Sequence, residues 1–73
     1  MDKQTFYAQL AGKLTELGVG EEYINRHLTQ FDGYFSDKSD EEVSEEIAKL
    51  GSIDRVAARI KRITDKIADG IAR

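Results

Sequence analysis

The chain has no cysteine, no proline and no tryptophan, and only one histidine. Without cysteine there is no disulfide, no zinc–thiolate site and no thiol nucleophile, and nothing points to an oxidising compartment. With His27 alone, and no HExxH pair, a metal site would have to be assembled from scattered acids. No apolar run approaches the roughly 20 residues of a membrane span, and the opening MDKQTFYAQ lacks the apolar centre of a signal peptide. The expectation is therefore a soluble, cytoplasmic chain. No phosphate loop, GxSxG elbow or paired nucleophile and base is present, so the sequence reads as non-enzymatic, with no catalytic residue, cofactor, metal or small-molecule substrate. A basic surplus is also missing: 11 Lys and Arg stand against 14 Asp and Glu, a net charge of −3, which disfavours a general nucleic-acid binder.

What remains is helix-forming. Ala, Leu, Glu, Lys and Arg dominate, period-2 alternation is absent, and 73 residues allow one domain that buries only about 60% of its unfolded surface. The predicted fold is all-α, a compact bundle of three longer helices and one short acidic helix, the last helix longest. The first helix spans about 3–17 behind Asp2 as N-cap, with Phe6, Leu10, Leu14 and Leu17 along one stripe. Gly18 and Gly20 punctuate it. The second spans about 21–36, with two acids in its first turn and Ile24, Leu28, Phe31 and Phe35 on one face. Gly33 inside that pattern marks either a close approach of another helix or an early end.

The stretch SDEEVSEEIAKLGS, residues 39–52, tests whether a carboxylate cluster is chemistry or punctuation. Ser39 followed by Glu42 is a capping box, Asp40, Glu41 and Glu42 sit where the helix dipole favours negative charge, and Val43, Ile47 and Leu50 form an apolar edge. A calcium loop beginning at Asp37 would need glycine at its sixth position and glutamate at its twelfth, where the chain has Glu42 and Ala48. The acids therefore read as the start of a helix over 40–50, stopped by Gly51. His27, Tyr23 and Tyr34 share one face of the second helix and read first as boundary residues, with an aromatic binding edge as the lesser reading.

The last helix, about 53–70 and capped by Ser52, carries two stripes. Ile53, Val56, Ile60, Ile63 and Ile67 follow at intervals of 3, 4, 3 and 4, and Ile71 extends them. In so small a domain the first three turns are expected to pack inside the chain, leaving Ile67 and Ile71 for a partner. Arg55, Arg59, Arg62 and Lys66 recur on a second face roughly 130° away, a candidate anion-binding stripe. Residues 52–73 hold six basic and three acidic side chains, whereas residues 37–51 hold six acids and two lysines. A solvated face is the plain reading of that stripe; contact with lipid head groups or nucleic acid is the sharper one.

Three segments together resemble a known family. MDKQTFYAQLAGKLTEL, the aromatic second helix through FDGYFSD, and SDEEVSEEIAKLGSIDRVAARI are similar to the HAAS domain, the helix-turn-helix-associated α-helical signalling domain of bacteria. The likeness rests on Met1, Lys3, Phe6 and Leu10, on Ser39, Glu41 and Glu42, and on Leu50-Gly51 followed by Val56, Ala57 and Ile60, and covers about residues 1–60. Ser52-Ile53 stands where the family usually has Asp-Pro, and the family's glycine shortly before Ser39 is missing. The resemblance implies a compact helical module, often the cytosolic N-terminal part of a membrane protein and often encoded beside a PadR-type transcriptional regulator. A protein partner is then expected: a regulator, a membrane segment of a longer protein, or a second copy. The alternative is an anionic surface bound through the basic stripe.

Overall fold

The structure is a computed structural model that describes the backbone of residues 1–71 and the side chains of residues 1–67. It is all-helical: α1 Lys3–Glu16, α2 Glu21–Phe35, α3 Asp40–Leu50 and α4 Ile53–Ile71. Three of the four starts carry a side-chain cap, and Gly20 before α2 has none. The Asp2 carboxylate accepts from the Thr5 N–H at 2.8 Å, and hydrogen bonding from Thr5, first its side chain and then its backbone, holds the Asp2 pKa below the ordinary value. The Ser39 hydroxyl accepts from the Glu42 N–H at 3.2 Å while the Ser39 N–H donates to the Glu42 carboxylate at 3.4 Å. The Ser52 hydroxyl accepts from the Arg55 N–H at 3.2 Å. The carboxylate run of α3 thus serves its own first turn.

The α1–α2 turn is built by a backbone motif. The Gly18 N–H donates to the Thr15 carbonyl and the Val19 N–H to the Leu14 carbonyl, both at 3.0 Å, with Gly18 in the left-handed region at φ 85°. This Schellman pairing turns Val19 back onto the core, where it is buried beside Leu14.

One helix organises the rest. α1 packs against α2, α3 and, most extensively, α4, and its Phe6, Leu10 and Leu14 are at most 1% exposed. Phe6 meets Phe31 edge-on at 5.2 Å and Phe35 at 6.3 Å, so an aromatic cluster joins α1 to the second half of α2. On the flank the Tyr7 hydroxyl donates to Asp32 at 3.2 Å, and burial together with that bond pushes its pKa up to about 12. Val43 and Ile47 bring α3 to the same core, and the Ser44 hydroxyl reaches the Met1 carbonyl at 2.9 Å.

Two sequence expectations are corrected. Gly33 lies within α2, which continues to Phe35, and a methyl group at that position would meet nothing within 4 Å. It marks neither a close approach nor an early end. The isoleucine seam does not stay inward for three turns either. Val56, Ala57, Ile60 and Thr64 are buried, whereas Ile63 is 44% exposed. A straight helix with about 3.6 residues per turn drifts away from a 3.5-residue repeat, so the side facing α1 passes to Ala57 and Thr64 while Ile63 rotates off it. Nothing then covers Ile63, because α2 and α4 barely touch each other.

Candidate functional site

With α2 and α4 both resting on α1 and touching each other only weakly, a groove opens between them. It has a volume of about 440 Å³. Its α2 wall is His27, Gln30, Phe31 and Tyr34; its α4 wall is Arg55, Val56, Arg59, Ile60 and Ile63; Leu50 closes one end. Each wall is about two helical turns long, or roughly 11 Å at 1.5 Å per residue.

The lining is apolar below and polar at the rim. Phe31, Val56 and Ile60 are also part of the packed core or lean on it, so the floor is held by the fold itself. Two of the exposed large apolar side chains lie at this groove. Among the described residues the exposed ones are Met1, Tyr34, Ile63 and Ile67; Tyr34 and Ile63 line the groove, and Ile67 lies one turn beyond Ile63 on the same helix. Tyr34 is held in place by three contacts: its ring packs on Phe35 at 5.5 Å, its hydroxyl donates to Glu46 at 3.4 Å, and the Lys38 ammonium lies 4.9 Å from its ring centre. Burial, and secondarily the charge of Arg26, hold the His27 pKa below the usual 6.5.

The sequence-predicted residues divide across α4. Arg55 and Arg59 stand on the groove wall, whereas Arg62 and Lys66 border a separate shallow depression with Leu17, Ala58, Lys61 and Asp65. Among the described residues none of these four cations forms an ion pair; Asp65 is taken by Lys61 at 2.7 Å, Asp54 by Lys13 at 3.2 Å, and Glu46 by Lys49 at 3.7 Å. No acid of α3 lies within ion-pair distance of the stripe's described cations. Ile67 is 43% exposed, and the Ile71 side chain lies outside the described residues. His27 and Tyr34 meet at the groove, while Tyr23 lies outside it, half-buried, with the Arg26 guanidinium 5.8 Å from its ring centre. Periodicity alone missed the groove as a unit, since it depends on two helices standing apart. Its one sequence signal is that Tyr34 and Ile63 each sit at the margin of their own helix's apolar face.

Among the described residues no three His, Asp or Glu side chains come together in a way that could hold a metal ion, and no helix is long and apolar enough to cross a membrane. The arrangement can desolvate an apolar surface and offer cations to its edge. No family model matches the chain, and no curated protein or solved structure proves similar to it.

Proposed function

We propose that the chain is a non-enzymatic protein-interaction and signalling module of the HAAS type, a bundle of three longer helices and a short acidic one whose longest, last helix supplies much of the binding surface. The observation that carries this reading is the groove between α2 and α4, in which Tyr34 and Ile63 remain exposed over a floor of Phe31, Val56 and Ile60. Apolar side chains that converge on a concave, pre-formed site are the usual mark of a surface completed by another molecule. Ile67, 43% exposed, extends the surface along α4 in this reading, and Ile71 is the further partner-binding residue that the sequence stripe suggests. In this reading the partner is a protein: a PadR-type regulator, a segment of a longer membrane protein, or a second copy, in the bacterial cytoplasm or at the cytosolic face of a membrane.

A second reading has its own observation. Arg55, Arg59, Arg62 and Lys66 are unpaired among the described residues, as a face that meets lipid head groups or nucleic acid would require. Salt separates the two. Binding of a PadR-type regulator expressed beside the chain is to be measured from low to high salt, together with binding of anionic vesicles and duplex DNA. A regulator complex that survives high salt and is lost on Ile63→Arg supports the protein module. Binding to vesicles or DNA that falls steeply with salt and is lost on Arg59→Glu/Arg62→Glu, with no regulator complex, replaces it with the anionic-surface reading.

A further inference from the structure

The groove has a definite charge pattern that narrows what fills it. No carboxylate lines it, whereas Arg55 and Arg59, one turn apart on α4, stand along one wall without an ion-pair partner among the described residues. Glu46, beyond its closed end, is already engaged by the Tyr34 hydroxyl and by Lys49. The opposite wall, His27 to Tyr34, is uncharged when His27 is neutral, as its lowered pKa favours.

Resting on the protein-module reading above, we propose that the groove binds an amphipathic helix of a partner protein, about two turns of it, with apolar anchors on one face and carboxylates along the edge that meets Arg55 and Arg59. The length follows from the walls, each about two turns long. The anchors follow from the floor: apolar residues at i, i+3 or i+4 and i+7 repeat at the pitch of two flanking helices and fit between them as a further helix of the bundle. The acidic edge follows from charge. An arginine guanidinium pairs with a carboxylate in a forked geometry, and two unpaired arginines one turn apart select carboxylates spaced i, i+3 or i+4. A basic or uncharged edge would leave both guanidinium groups partly desolvated and unmatched, which works against such a partner. The occupant is thus a carboxylate-edged helix rather than a nucleic acid or a lipid, neither of which supplies apolar side chains at helical spacing.

A displayed library of peptides about 14 residues long, with apolar residues at the anchor positions and the edge positions varied freely, tests this against the 73-residue chain. Selected peptides are expected to carry Asp or Glu at the edge, to shift the methyl NMR signals of Leu50, Ile60 and Ile63, and to bind at least about tenfold more weakly to Ile63→Arg. Selection against Arg55→Glu/Arg59→Glu is expected to turn the enriched edge from acidic to basic. A correctly folded Ile63→Arg chain, checked by its helical circular dichroism, keeps that loss interpretable. Four results overturn the proposal: no enrichment, enrichment without an acidic edge, peptides indifferent to Ile63→Arg, or Ile63 signals that move with the chain's own concentration as a dimer forms. The last assigns the groove to a second copy. All four leave possible a salt-resistant regulator complex that is lost on Ile63→Arg but uses a partner surface other than an acidic-edged helix, so the broader reading stands or falls on its own experiment.

Discussion

α1 and α4 both carry an apolar stripe at helical spacing, and α4 is much the more sharply two-faced of the two, yet it is the less completely covered. Phe6, Leu10 and Leu14 of α1 are completely enclosed, because α2, α3 and α4 surround that helix. On α4, among the described residues, Val56, Ala57, Ile60 and Thr64 are buried and Ile53 is half-buried, while Ile63 and Ile67 remain more than 40% exposed. The difference lies in the neighbours rather than in the helices. A stripe becomes core where another helix sits on it, and α2 leaves α4's outer edge open. Apolar regularity therefore reports the capacity to bury a face, and the arrangement of partners decides how much of that capacity is satisfied within the chain.

The sharpest way to break this contrast is to shorten one side chain on each helix. Leu10→Ala is expected to cost about 3 kcal/mol, since it removes transfer energy and leaves a cavity in a fully enclosed site. Ile63→Ala, at a half-exposed position, is expected to cost less than about 1 kcal/mol. Urea denaturation followed by circular dichroism compares the two. Equal costs would mean that Ile63 is core after all and that the groove is closed in solution.

Thr64 sharpens the contrast from within α4. It is the last buried side chain of that helix among the described residues, and its hydroxyl oxygen is enclosed with no hydrogen-bond partner. Enclosing a hydroxyl without a partner opposes folding, and valine has nearly the same shape without that oxygen. Thr64→Val is expected to stabilise the domain by about 1 kcal/mol, read as a rise in the midpoint of urea unfolding. A fall would mean that the hydroxyl is satisfied in solution.

How much of this was legible in the sequence follows from the range of each interaction. The caps at Asp2, Ser39 and Ser52 act over three residues, so residue order alone exposes them, as it does the stripe of Phe6, Leu10 and Leu14. Val19 was readable in principle, because glycine followed by an apolar residue just past a helix end is the Schellman pattern, but helical periodicity stops at the helix and passes over it. The groove was not legible. It arises because α2 and α4 each choose α1 over the other, a competition among residues some 30 positions apart that no local pattern encodes. The divided basic stripe has the same origin: four cations share one helical face, and only the position of α2 turns Arg55 and Arg59 into a groove wall.

Gly33 gives a smaller test on the second helix. With open space at the added methyl and a helical backbone, Gly33→Ala is expected to raise stability by about 0.5–1 kcal/mol, measured by thermal or urea unfolding. A gain at Gly33 that also changed groove binding would tie the α2 wall's rigidity to the site. A gain with binding unchanged would confine glycine's effect to the unfolded chain.

His27 provides the smallest expected effect and the one most specific to the groove. Its folded-state pKa lies below the 6.5 of an unperturbed histidine, first because it is half-buried and second because Arg26 is near. Between the folded and unfolded values the unfolded chain binds more protons, so stability rises with pH across that window. The contribution is complete above about pH 6.5 and is lost as the pH falls through the lower, folded value. Urea unfolding of the chain and of His27→Gln in steps from neutral to mildly acidic pH is expected to show the excess pH dependence only where histidine is present. Because His27 titrates on a wall that faces Arg55 and Arg59, adding its proton gathers three cations around one apolar floor. Fold stability and the groove's charge are thereby coupled at a single residue, a coupling with no counterpart on the enclosed face of α1.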